Sequence, residues 1–293
     1  MARTGHAVIG LGSHRSITTF GADGASYDAS YPVTNLGALP LAKVARTASA
    51  AEANTKFTGL FSGTVGLRLL AVGPHNMLPG TDPTYRLRLY SDAGLSVEVY
   101  DSGAGIPVWP AVYDSLSLEW EDDQFWTGTY ADSQVANWDS WLPIWLDAIY
   151  LCRGFRIEFS DSSNADGYLQ FGLAEPALGW QVSRNIAFGA QYGFRFRSTS
   201  RESDGGSKAF RRRRAPQVWE GEIRLLDRDE VMTRHFELLR QADLVDPFLW
   251  FPHPEEPLHW PRTVWLARNV DPGLASLAAP GRDTIALKLE QVL

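Results

Sequence analysis

Alternation with a period of two is the pattern that most constrains this chain. From Phe57 onward, the stretches TKFTGLFSGTVGLRLLAVG, TYRLRLY and LSVEVY each read as strands, punctuated by Gly, Pro, Asn and Asp. RLRLY and SVEVY alternate well enough to put one face in a core and the other in water. SDAGL between them is a hairpin candidate. FRIEFSD and GYLQFGLAEP resume the pattern across a turn-rich SDSSNAD, and DTIALKLEQVL closes the chain with clean alternation. Against these strands stands one helix. Val231, Met232, His235, Phe236, Leu238, Leu239 and Ala242 recur at helical spacing, and Asp227 followed by Glu230 predicts a capping box, so a helix is expected over about 227–243. The fold class expected is therefore mainly β, and 3 Met against 11 Trp, 10 Tyr and 14 Phe agrees with sheet over helical bundle.

A chain of 293 residues can bury two cores, and its character changes near Trp180. Three segments are expected: 1–25, an N-terminal strand that joins the second domain; 26–180, the first domain; and 181–293, the second. No stretch approaches the roughly 18 apolar residues a membrane-crossing helix needs, so no membrane span is expected. MARTGHAVIGLGSHR has no long apolar run before a cleavage site, which argues against a secretory leader. One cysteine, Cys152, precludes an intramolecular disulfide and a multi-Cys zinc site; beside Leu151 at the start of a strand, it reads as a small buried hydrophobe.

The charge is unevenly spread. The whole chain carries −7, which argues against a general nucleic-acid binder. Residues 195–214 nevertheless hold Arg195, Arg197, Arg201, Lys208, Arg211, Arg212, Arg213 and Arg214 against Glu202 and Asp204, a local +6 that leaves −13 elsewhere. Strand-like runs flank this polar tip, so it reads as a long hairpin or extended loop. The arginine run is short and lacks interleaved aromatics spaced for base stacking. It is better matched to an acidic protein surface, and to another copy of the same chain if the contacts close a ring.

Catalytic motifs are scarce. Gly10-Leu-Gly-Ser-His-Arg15 imitates part of a dinucleotide fingerprint but lacks its third glycine and a following helix. There is no phosphate-binding loop, no HExxH and no GxSxG. His6, His14, His75, His235, His253 and His259 do not fall at metal-ligand spacing on one element, so neither metal nor cofactor is expected, and no enzyme activity. The one constellation with chemical content lies in 109–145, with six Trp and the acids Asp114, Glu119, Glu121, Asp122 and Asp123. Carboxylates flanked by indoles build sugar sites, because sugar faces stack on indole while carboxylates take hydroxyls. Trp120, Glu121, Asp122, Asp123 and Trp126 are thus candidate carbohydrate contacts. The reading favoured over it is a solvated EDD turn between core-anchored tryptophans.

Several stretches, in order, resemble a jelly-roll module of long-tailed bacteriophage tail proteins. SYPVTNL (30–36), PLAKVARTAS (40–49), AVGPHNMLPGTDPTYRLRLY (71–90), VWPAVYDSLSLEWEDDQFW (108–126) and FRIEFSDSSNADGYLQFGLAEPALGW (155–180) carry the likeness, although LAKVAR lacks a Trp often found before its Arg. The C-terminal FRRRRAPQVWEGEIRLLDRDEV and PFLWFPHPEEPLHWPRTVWLARN are similar to the tube-like domain of distal tail proteins. The resemblance implies a discoidin-like, galactose-binding-like jelly roll plus a tail-tube-like β-sandwich or barrel with one helix and a long hairpin. It also implies a structural role at a virion's tail tip. Hexameric rings, or trimers as the alternative, would join the tail tube to tape-measure, hub and fibre proteins around a channel that passes DNA without binding it. Residues 195–214 would then lie at the subunit contact. The alternative is an adsorption protein contacting host polysaccharide through the jelly roll.

Overall fold

The computed structural model describes residues 5–114, 119–121, 125–202, 204–242, 246–271 and 273–293. The chain forms two compact units, one of residues 1–181 with 249–265 and one of 182–248 with 266–293. The boundary after 181 lies next to the change of character at Trp180. Unlike the expected 181–293 domain, however, 249–265 groups with the first unit, and so do the strands of the first 25 residues.

The first unit contains β1 (Val8–Ile9), β2 (Thr18–Gly21), β3 (Ala45–Arg46), β4 (Lys56–His75), β5 (Thr84–Tyr90), β6 (Glu98–Asp101), β7 (Ile106–Pro107), β8 (Leu142–Ser160), β9 (Gln170–Ala177) and β10 (Trp180–Gln181). Its architecture rests on β4 and β8, of 20 and 19 residues, which run antiparallel along nearly their whole length. Their ladder is interrupted between Leu60 and Val65, and each strand contributes its two halves to different neighbours. The first half of β4 pairs with β2, while the second half of β8 pairs with β5, which in turn holds β6 and β7. The second half of β4 pairs with β9, and β9 with β3. Two sheets therefore share two bent strands and close on one core, a jelly-roll sandwich. Phe159 of one sheet meets Phe171 of the other with ring centroids 4.9 Å apart, and Phe57 meets Phe171 at 5.9 Å. Within the β4–β8 ladder itself, Gly59 lies directly opposite Phe155, and a Cβ on residue 59 would lie 2.3 Å from that ring. β1 stands apart from this sandwich, between β10 and the strand Phe248–Phe251.

Alternation predicts the faces of β5 correctly. Leu87 and Leu89 are fully buried, whereas Arg86 and Arg88 turn outward to ion pairs with Asp101 and Glu158. In SVEVY the face turned inward is that of Tyr100 and not that of the valines. Tyr100 lies opposite Leu89 and so faces the core side, which leaves Val97 and Val99 54% and 39% exposed on an edge strand. The SDAGL link does close a hairpin, where the Asp92 carboxylate accepts the N–H groups of Ser96 and Val97 at 3.0 and 2.7 Å.

The second unit holds β11 (Gln191–Phe194), β12 (Thr199–Glu202), β13 (Lys208–Arg211), β14 (Gln217–Asp227), β16 (Trp265–Asp271, all but Trp265), β17 (Ala275–Ala279) and β18 (Arg282–Gln291), whereas β15 (Phe248–Phe251) belongs to the first unit in all but Phe248. β18 is central. It pairs with β14, β16 and β17, and buries Ile285, Leu287 and Leu289 as its alternation predicts. β11 is the outer neighbour of β14, and beyond it the chain runs out into the separate hairpin of β12 and β13. The helix spans 228–241 and includes a π-helical stretch, Val231–His235. Val231, His235, Leu238 and Ala242 are buried, but Met232 and Phe236 are each 48% exposed, so the apolar stripe is narrower than expected. The capping box does not form. Asp227 makes no side-chain cap bond and pairs instead with Arg282 at 2.6 Å, while Glu230 accepts the Ser183 N–H at 2.9 Å.

Candidate functional site

The Trp-rich segment is a loop with a tied neck. At its base, Trp109 is 6% exposed, donates its indole N–H to the Met77 carbonyl at 3.2 Å and packs edge-on against Tyr130. Tyr130 is buried and its hydroxyl donates to the Pro257 carbonyl. The backbone N–H groups of Val112 and Tyr113 both reach the Gly128 carbonyl, at 2.8 and 2.9 Å, which closes the neck. Past this closure, Trp120 and Trp126 stand in water, 74% and 87% exposed. Core anchoring holds for Trp109 and Trp141 and fails for these two, because the neck is sealed by backbone bonds before the chain reaches them. Phe125 meets Trp126 edge-on at 5.1 Å. Glu119 and Glu121 are exposed beside Trp120; Asp122 and Asp123 lie outside the described residues.

The structure divides the basic segment. Arg195 and Arg197 both pair with Glu290, the former at 2.7 Å, and the Glu290 side chain is only 5% exposed. Lys208 pairs loosely with Glu202 at 3.7 Å. Arg201, Arg211, Arg212 and Arg213 are exposed and make no ion pair among the described residues; Arg214 is exposed as well. The sequence reading missed the aromatics of the same arm. Tyr192, Phe196 and Phe210 are 86%, 86% and 77% exposed, with Phe194 also in solvent. The available signal was YGFRFR, in which every second residue is aromatic on a strand whose opposite face is already committed to Glu290.

Groups with reactive chemistry are largely shut away. Cys152 lies well inside β8, not at a strand start, and burial pushes its thiol up to about 12, which keeps it protonated at neutral pH. After Gly10–Arg15 come a three-residue turn and β2 rather than a helix, so there is no helix N-terminus to hold a phosphate. Among the described residues, no three His, Cys, Asp or Glu side chains gather as metal ligands.

The sequence matches no described protein family and no curated relative. Among solved structures, the fold is similar to the family 32 carbohydrate-binding module of NanJ from Clostridium perfringens, solved with galactose (11% identity, TM-score 0.37, 57% of this chain and 97% of that one). A family 32 module from a family 31 glycoside hydrolase of the same organism is also similar (12%, TM-score 0.34, 55% and 93%). So is a fucolectin from striped bass, Morone saxatilis (8%, TM-score 0.35, 75% and 75%). These likenesses are of fold: a mainly β chain with galactose-binding-like jelly-roll neighbours.

Proposed function

We propose that this protein binds saccharide without catalysis, through the loop that projects Trp120 and Trp126 from the jelly roll, and that it serves adsorption to a polysaccharide-coated surface. The observation that carries the reading is the exposure of these two indoles beyond a sealed neck, beside Glu119 and Glu121. Large aromatic faces left in water mark interaction sites, and carboxylates at their rim suit a ligand that is both apolar-faced and rich in hydroxyls. On a glycan array of bacterial surface polysaccharides, the wild-type chain is expected to bind. Trp120→Ala or Trp126→Ala should each weaken that binding by about tenfold or more. Binding that survives both substitutions, or release of sugar from the bound polymer, would overturn the proposal.

A second reading has its own supporting observation. The β12–β13 hairpin is exposed at all eight strand residues. A lone two-stranded hairpin is marginal in water, so an arm carrying Phe194, Phe196, Phe210 and Arg211–Arg213 suits a structure covered by a neighbour. This favours the tail-tip role: a ring, hexameric or else trimeric, in the virion, joining tube to tape-measure, hub and fibre proteins, with the acidic remainder of each copy facing the next arm. In sedimentation at high concentration the chain is expected to form a closed oligomer, and Phe194→Ser with Phe196→Ser and Phe210→Ser to leave monomers. A wild-type chain that stays monomeric would remove the ring.

A further inference from the structure

The first unit contains a largely apolar cavity of about 410 Å³, within the roughly 300–1,000 Å³ typical of small-molecule sites. β5 and the segment from Tyr100 to Pro110 line one side, and the start of β8 with residues 251–260 the other. Tyr85 follows the alternation of Leu87 and Leu89 and so faces inward, packed against the core. Tyr100, Trp145, Phe251 and Trp260 line the same space, which makes its walls aromatic.

Its polar groups are few and of one kind. No Asp, Glu, Lys, Arg, His, Asn or Gln lines the cavity. Ser102 Oγ is already committed, accepting the Leu87 N–H at 2.8 Å and donating to the Gly103 carbonyl at 3.0 Å. The Trp260 indole N–H donates to the His253 carbonyl at 3.1 Å. The phenols of Tyr85 and Tyr100 and the indole N–H of Trp145, by contrast, make no hydrogen bond among the described residues, and none of these three atoms is closed off from solvent. Burial pushes the Tyr85 phenol up to about 12, with Tyr100 adding to it. Burial also raises Tyr100, with Asp147 and Asp101 adding, so both phenols stay protonated donors at neutral pH. The charges nearby are engaged elsewhere. Arg68 lies over the Trp145 ring at 4.3 Å and donates to the Leu146 carbonyl at 3.2 Å, Asp101 pairs with Arg86, and Asp147 accepts the Tyr150 hydroxyl at 3.0 Å.

A ligand for such a space must bring acceptors and an apolar body, without charge. A bare alkyl chain would leave the three donors desolvated and unmet, and an ordinary peptide would bring N–H groups of its own to side chains with no acceptor but the phenol oxygens. A prolyl peptide carries one carbonyl per residue, no N–H and an apolar ring, and is already extended when free. We infer that this cavity binds a proline-rich segment of a partner protein in the polyproline II conformation, its rings against the aromatic walls and its carbonyls on Tyr85, Tyr100 and Trp145. The inference is independent of saccharide binding at Trp120 and Trp126.

The test is calorimetric titration of the full chain with end-blocked decaproline, a Gly-Ser peptide of the same length, and glucose pentaacetate, which has carbonyls and no donor but lacks the peptide's spacing. Decaproline should bind, with the other two weaker by about tenfold or more. Tyr85→Phe and Tyr100→Phe keep the rings and should each weaken decaproline by about three- to tenfold, with urea midpoints confirming that both variants fold. On the wild type, decaproline should move the Trp145 indole N–H resonance, assigned with Trp145→Phe, more than that of Trp260. The double variant Trp120→Ala, Trp126→Ala should bind decaproline as the wild type does. No binding of decaproline, equal binding of either control, affinities unchanged in both phenylalanine variants, or an unmoved Trp145 resonance would each overturn the inference and leave the saccharide reading untouched.

Discussion

Replacing Phe171 by alanine is expected to destabilise the jelly roll by about 3–5 kcal/mol, the usual cost of removing a fully buried phenyl ring. Phe171 is 0% exposed in β9, opposite Ala45 on one side and His75 on the other, and its ring meets those of Phe57 and Phe159. Those neighbours cannot collapse into the space it would leave. Phe57 is held edge-on by Phe155 and Phe20, and both Phe57 and Phe159 belong to the long paired strands β4 and β8. Phe171→Leu fills most of the same volume and should cost much less, within about 1–2 kcal/mol. Urea unfolding followed by tryptophan emission would measure both. An alanine variant that loses under about 1 kcal/mol would mean that the two sheets do not meet through this cluster.

How far such features could be read in the sequence depended on how local they were. β18 was legible, because the burial of Ile285, Leu287 and Leu289 follows from alternation alone. SVEVY had the same local signature, yet its valines face outward. Which face of an edge strand turns inward depends on register, and register is set by its pairing with β5 across a bulge at Leu89 and Tyr90. Asp227 shows the same limit in a helix. The capping-box spacing is present, but Arg282, 55 positions away, offers the carboxylate a full charge, whereas the helix end offers one N–H. At the candidate site, composition singled out the segment 109–145 but misjudged the burial of its tryptophans. Six Trp in one stretch predict burial on average; only the closure at Gly128 separates Trp109, inside the neck, from Trp120 and Trp126 beyond it. In the arm, eight bases drew attention to charge, although Glu290, more than 75 residues downstream of the last of them, takes up Arg195 and Arg197. The aromatics then become the larger unsatisfied surface.

Acidification should weaken the fold well above the pH at which its surface ion pairs titrate. His75 makes the clearest contribution. Its Nδ1 is closed off from solvent and has no hydrogen-bond partner, its ring packs edge-on to Trp109 at 5.6 Å, and burial pushes its pKa from 6.5 down to about 4 despite the opposing bond to the Met77 backbone. In the unfolded chain the imidazole titrates at its ordinary value. Between about pH 6.5 and 4, therefore, the unfolded state takes up a proton that the folded state refuses. Stability falls as pH drops through this window and levels off below it, with about 3 kcal/mol lost when the window is fully crossed. Burial lowers His14 and His235 in the same direction, so their windows also open downward from 6.5. Asp101 behaves differently, because the hydrogen bond from Arg86 holds its carboxyl at about 2 and its contribution is lost only as pH falls from about 4 toward 2. Urea midpoints measured at fixed salt from pH 7.5 to 3.5 should show the decline. The difference profile between wild type and His75→Phe isolates one histidine from the carboxylates that titrate in the same range. That difference should change steadily from pH 6.5 to 4 in favour of His75→Phe; parallel profiles across the window would mean that His75 is as easily protonated in the folded protein as in the unfolded chain.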